Sequence, residues 1–383
     1  MTHGRLLAHA MRAPAGLLGM LLLVGMIERQ FGRNELHFAL AESENWKFSE
    51  RQARKQTAPG SILCFGSSLV KDGLLPRAIE AKTGRKSYNL AAMRAHMPTS
   101  YYLLKRSLEA GARPSAVLVD CQDGPVPITD AAKQAEAIRV NLRNWPGLLT
   151  ATEAIDLAWQ TRDPNLLAEL AVDRLVPSAK MRHEIRSTIQ ACLKNDHASS
   201  IEFIAALHRN WTANLGTHVM PPGDVRSEEV ASVSPAPLPR DQYLPNALSE
   251  TYTRRFLELA AAHQIRVFWL LPPVSSRLQR ERDESGYSAY FTSRAAWIQR
   301  EFPWVNVIDS RRSGYPSHLF VDGAHLNRHG AYDYSAAVAA IVDQAMKRPG
   351  DARWIAAPRY HSAEPEQIAV EDIVQSMNRG RKL

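Results

Sequence analysis

Short apolar runs that alternate with helical spacing constrain this chain more than any other feature. Ile62-Leu63-Cys64-Phe65 is a first uninterrupted run, closed by Gly66, where the backbone must turn. Ser87 to Ala91, Ser115 to Val119, Ile265 to Leu271 and Val305 to Asp309 read as four more strands. Between them, Leu74 to Lys82, Pro98 to Ala110, Ser249 to Ala262 and Ser288 to Arg300 carry helix-like spacing with stop signals at Gly84 and Gly111. A last, Ala-rich helix runs through Met346. Strand and helix in alternation predict an α/β fold with a parallel sheet and crossover helices.

The alternation is interrupted once. Within residues 125–246 the spacing predicts helices over Ala131 to Leu142, Thr152 to Trp159, Pro164 to Leu175, Ser178 to Leu193 and Ile201 to Trp211. Residues 216–246, rich in Pro, Ser, Gly and charge, read as an irregular, mobile linker. Trp145 and Trp211 read as helix-packing aromatics, with the lining of a sugar-binding surface as the alternative. The expected organisation is a membrane-proximal leader over 1–60, one α/β domain over 61–124 and 247–346, a helical insertion over 125–246, and an extended tail over 347–383.

Ala13 to Ile27 carries no charge and follows Arg5 and Arg12, the pattern of a signal-anchor. An uncleaved N-terminal membrane-anchor helix is expected, although the run is shorter than the roughly 20 residues that span a bilayer. Arg29, Arg33, Lys47, Arg51, Arg54 and Lys55 follow it and conflict with export of the domain behind it. The net charge of +8 is scattered, so no nucleic-acid site is read. Cys64, Cys121 and Cys192 form no CxxC pair, and neither a metal site, a disulfide framework nor a cofactor is expected.

Two stretches carry the chemistry. Ser68 stands just past the Gly66 turn, at the carboxyl end of a strand and before a helix, where open α/β sheets place their reacting groups. It is the candidate nucleophile; alternatively Ser67 or Ser68 is merely a helix cap. Far along the chain, Asp322-Gly323-Ala324-His325 places a carboxylate and an imidazole across a two-residue loop. Asp322 can hold one ring nitrogen of His325 while the other takes a proton from a serine.

Gly-x-Ser after the first strand and Asp-x-x-His before the last helix resemble the SGNH (GDSL-like) hydrolase superfamily. The resemblance covers 61–124 and 247–346. It implies a flavodoxin-like three-layer α/β/α sandwich of esterases and carbohydrate O-acetyltransferases, with Ser68, His325 and Asp322 as the triad. Ser67 stands where the family has aspartate. The second block, Asn89-Leu90-Ala91, has alanine in place of the glycine whose N–H serves the oxyanion. In the third, Asp120-Cys121-Gln122-Asp123, Gln122 replaces the asparagine. The implied oxyanion donors are thus the N–H groups of Ser68 and Ala91 and the Gln122 amide.

With the anchor and the insertion, the chain most resembles membrane-associated acetyltransferases of the alginate and D-alanylation type. That implies an acyl donor and a carbohydrate or other ester as partners, a membrane contact through the N-terminal helix, partner proteins at the insertion, and an extracytoplasmic location. The competing expectation, motivated by the altered oxyanion blocks, is a weak or inactive domain that serves binding or assembly in a polysaccharide export complex.

Overall fold

The computed structural model describes residues 16–30, 41–122, 126–127, 148–161, 164–222, 243–244, 247–348, 353–361 and 368–380. The chain divides into two compact units, one of Met1–Leu40 with Ala154–Ile201, the other of Ala41–Glu153 with Glu202–Leu383.

The second unit contains a six-stranded parallel sheet. Its strands are β1 (Ile62–Phe65), β2 (Ser87–Asn89), β3 (Ala116–Asp120), β6 (Arg266–Leu271), β7 (Asn306–Asp309) and β8 (Trp354–Ala356), in the order β2-β1-β3-β6-β7-β8. Two short strands, β4 (Val126–Pro127) and β5 (Tyr243–Leu244), pair antiparallel apart from it. The register sets Ile62 beside Ser87 and Ala116, so β1, β2 and β3 end close together. That common end carries Gly66, Asn89 and Asp120.

The helices of this unit include α1 (Ala41–Ala53), α2 (Ser68–Gly73), α3 (Pro76–Thr83), α4 (Met97–Glu109), α5 (Ala247–Ala262), α6 (Ser276–Glu284), α7 (Tyr287–Glu301) and α8 (Arg328–Lys347). Alternate strand residues face opposite ways. Ile62, Cys64, Leu118, Phe268 and Ile308 form one buried core with Val70 of α2, Ile79 of α3 and Tyr334, Val338 and Val342 of α8. From the other set, Phe65 meets Phe256 of α5 edge-on, with ring centroids 5.8 Å apart. The hydroxyls of Tyr102 and Tyr252, 2.8 Å apart, tie α4 to α5. Each such fully buried side chain contributes about 1.5–3 kcal/mol. The architecture is α/β and consistent with a three-layer sandwich.

Several expectations are corrected. Residues 16–30 are helical and their leucines are exposed. No helix among the described residues is long and apolar enough to cross a membrane, so the expected N-terminal membrane-anchor helix is not found. The C-terminal tail is not simply extended. Trp354–Ala356 adds the sixth strand against β7, and Ile373 on a helix over Ile373–Gly380 packs with Phe48, Leu207 and Trp211. The leader too is partly folded into this unit, because α1 packs on α4.

The start of the expected linker is also ordered by packing. Asn89 N–H donates to Leu215 O at 2.9 Å, and Gly216, at φ +97°, runs so near β2 that a Cβ there would lie 2.0 Å from Asn89 O. Val219 then enters the core.

Insertion helices occupy Ala151–Thr161, Pro164–Leu175, Pro177–Lys180, Arg182–Leu193 and His197–Ala213. Within the first unit, the Glu28 carboxylate accepts from the backbone N–H of Ser178 at 2.8 Å and from its hydroxyl. The helix expected over Ala131 to Leu142, Trp145 and most of the linker lie outside the described residues.

Candidate active site

The site starts from a close approach between two strand ends. Gly66 leaves β1 at φ +124°, and a Cβ there would lie 1.9 Å from Asp120 Oδ1 and 2.9 Å from Asp120 O. Only glycine fits. Directly after it, Ser67 donates its N–H to Asp120 Oδ1 and its hydroxyl to Asp120 Oδ2, both at 2.7 Å. Ser67 Oγ also accepts from Leu69 N–H at 3.2 Å and so caps α2. The turn is thereby fixed from β3, and Ser68 becomes the first residue of α2. From below, Asn89 Nδ2 donates to the carbonyls of Val70 at 2.8 Å and Leu74 at 3.1 Å, holding the last turn of that helix.

The second half of the site is a pinched loop. Phe320 and Leu326 form an isolated antiparallel bridge, and Val321 N–H donates to His325 O at 2.9 Å. Within the loop, Asp322 Oδ1 accepts from the N–H groups of Ala324 at 2.7 Å and His325 at 2.8 Å. Asn327 caps α8 by accepting from His329 and Gly330 N–H. Leu278 of α6 packs with Leu69, Val274 and Ala324, which bridges α2 to this loop.

Ser68, His325 and Asp322 come together in line. His325 Nε2 lies 2.8 Å from Ser68 Oγ, and His325 Nδ1 lies 2.8 Å from Asp322 Oδ2. Burial acts to raise the Asp322 pKa, but the His325 hydrogen bond and charge with the two backbone N–H groups bring it to about 2. For His325, burial acts to favour the neutral ring, and Arg282 does the same. The Asp322 hydrogen bond and the charges of Asp72 and Asp322 outweigh them and raise its pKa above 6.5. A carboxylate, an imidazole and a hydroxyl in this order can move a proton off Ser68 Oγ.

The three expected oxyanion donors fare differently. Ser68 N–H, at the open end of α2, has no acceptor among the described residues. Ala91 N–H donates to Asn89 Oδ1 at 3.0 Å. That donor is occupied by the side chain of Asn89 at the end of β2, which corrects the expectation for Ala91. Gln122, just beyond β3, accepts through Oε1 from Arg282 at 3.4 Å, which leaves its NH2 group as a donor.

Sequence reasoning did not find Asp120, Arg282 or Asp72. Arg282 on α6 has no ion-pair partner among the described residues; it lies over the Phe291 ring at 5.5 Å, and burial brings its pKa down to about 10. Asp72 follows Ser68 by four residues, a helix spacing that could have marked it. Among the described residues no group of His, Cys, Asp and Glu could hold a metal ion. A cavity of about 930 Å³, lined by Arg266, Trp304, Arg348 and Trp354, opens at the amino ends of β6, β7 and β8, so it is not the site of Ser68.

No protein-family model matches this chain, and no curated protein matches it.

Proposed function

We propose that this chain is an SGNH-type serine esterase or acyltransferase that works through an acyl-Ser68 intermediate. The observation that carries the reading is the continuous hydrogen-bonded path from Ser68 Oγ through His325 to Asp322. Ser68 Oγ attacks an ester carbonyl while its proton passes to His325 Nε2. The tetrahedral intermediate collapses, the ester C–O bond breaks, and the leaving alkoxide takes that proton. Water or an acceptor hydroxyl then attacks acyl-Ser68, giving its proton to His325, which returns it to Ser68. Ser68 N–H and the Gln122 amide are the donors that serve the oxyanion in this reading.

The flavodoxin-like form of the fold belongs to the same proposal, supported by the strand order and by the strand ends that gather at Ser68. The substrate class is an acetyl or other acyl ester of an extracellular polysaccharide. The exposed leucines of residues 16–30 support contact with a lipid surface. The second reading, a binding or assembly component, is favoured by the committed Ala91 N–H, since losing one oxyanion donor costs ~10²- to 10³-fold in rate.

Turnover of a generic acetyl ester by the wild-type chain and by Ser68→Ala separates the two readings. Release of acetate that depends on Ser68, and that an added oligosaccharide diverts into ester product, supports acyl transfer. Equal and negligible turnover by both leaves the binding role.

A further inference from the structure

The large apolar side chains that this protein leaves in the open are gathered in its first unit. Among the described residues, Phe203 and Val374 are the only exposed ones that belong to the second. Part of the set is the helix over residues 16–30, where every residue from Gly16 to Ile27 is apolar or glycine and every one is exposed. A helix apolar on all sides needs apolar surroundings. The rest of the set lies on the insertion, for which acyl transfer at Ser68 supplies no role.

Two insertion helices carry their exposed residues as stripes. Ile155 and Trp159 stand four residues apart on the helix over Ala151–Thr161, and Trp159 is 81% exposed. Ile189 and Leu193 repeat that spacing on the helix over Arg182–Leu193, and Leu193 is also 81% exposed. Residues four apart share one face of a helix. On the first of these helices Leu157, on the opposite side, is fully buried, so the protein has covered one apolar face and left another open.

What these stripes are joined to points to what covers them. Glu28, at the end of the apolar run, accepts from Ser178 N–H at 2.8 Å and from its hydroxyl, which fastens the insertion to the 16–30 helix within one unit. A surface that takes up Leu17 to Ile27 therefore has the insertion beside it. Residues 154–201 hold six Lys and Arg against six Asp and Glu, so their net charge favours neither an acidic nor a basic partner. A tryptophan among aliphatic side chains suits the boundary between lipid headgroups and acyl chains, where the ring is in hydrocarbon and its N–H in water.

We propose that the helical insertion is a bilayer-docking element, in which the stripes of Ile155 with Trp159 and of Ile189 with Leu193 enter the headgroup boundary next to the 16–30 helix. The inference rests on the lipid contact read from residues 16–30 and not on the acyl-enzyme. The contact is apolar, so neutral and anionic bilayers serve alike.

Cys192 stands beside Leu193 and is exposed, whereas Cys64 and Cys121 are buried, so a fluorophore on Cys192 reports from the insertion alone. The full chain labelled there is reconstituted into phosphatidylcholine vesicles, with and without phosphatidylglycerol. Spin labels carried at headgroup depth should quench the fluorophore in both, to within about twofold of each other. The double variant Trp159→Ser with Leu193→Ser changes two exposed positions outside the catalytic machinery, and should lower that quenching at least about twofold. A chain held on vesicles whose Cys192 label stays unquenched overturns the inference and leaves the lipid contact of residues 16–30 standing. A chain that joins no vesicle overturns both. Stripes that instead pair two copies of the chain, seen as a dimer in solution that the double variant dissolves, would also overturn it.

Discussion

Ser67 gives both of its hydrogens to Asp120, one to each carboxylate oxygen, at 2.7 Å. This pairing between the β1–α2 turn and the end of β3 sets where Ser68 stands. The carboxylate is 1% exposed, so it has no water to replace Ser67. Asp120→Ala should therefore lower unfolding free energy by about 3 kcal/mol or more, and Ser67→Ala by about 1–2 kcal/mol. Urea denaturation with an unchanged m-value would check both.

Gly66 admits no side chain. Gly66→Ala would set a Cβ 1.9 Å from Asp120 Oδ1 at a φ that L-residues avoid. Relief requires the Ser67–Asp120 pair to part. The expected outcome is a loss of more than about 3 kcal/mol in thermal unfolding, together with loss of Ser68 reactivity.

The pH profile follows from the two shifts at the triad. His325 must be neutral to accept a proton, and its pKa is raised, so kcat/KM should rise with pH through a midpoint above 6.5. Asp322, held at about 2, stays ionised over that whole range. For stability the signs are opposed. The raised His325 contributes stability below 6.5 that is lost as pH rises through its folded pKa. The lowered Asp322 contributes stability above 3.8 that is lost as pH falls toward about 2. A rate profile whose acid limb lies below 6.5 would contradict the assignment of His325 as base.

Gln122 and Ala91 should behave differently. If the Gln122 amide serves the oxyanion, Gln122→Ala lowers kcat by about 10-fold or more with little change in KM. Ala91→Gly keeps the N–H bonded to Asn89 and should leave kcat within about twofold. Steady-state kinetics on one ester substrate distinguishes them.

The parts of the site that stood out in the sequence are those with local punctuation. Gly66 stops a run of apolar residues beside Ser68, and Asp322 and His325 straddle a loop of two, so each half announces a special backbone. Asp120 left no such trace, because its partner Ser67 is 53 residues away and only the strand register brings them together. Tertiary partners hid α1 in the same way. Trp46 and Phe48 are buried and Glu44 meets His208, but the stretch reads as a charged leader. Trp354–Ala356 is too short to show a period, and becomes a strand because β7 offers it an open edge. The run from Ala13 to Ile27 has the composition of an anchor, while no helix among the described residues is long and apolar enough to cross a membrane.

The most direct test of the account is intact-mass analysis after reaction with a fluorophosphonate. The account predicts one adduct on the wild-type chain, placed on Ser68 by peptide mapping, absent from Ser68→Ala and slowed at least about 100-fold in His325→Ala. A wild-type chain that takes no adduct, or a Ser68→Ala chain labelled as fast as wild type, would contradict it.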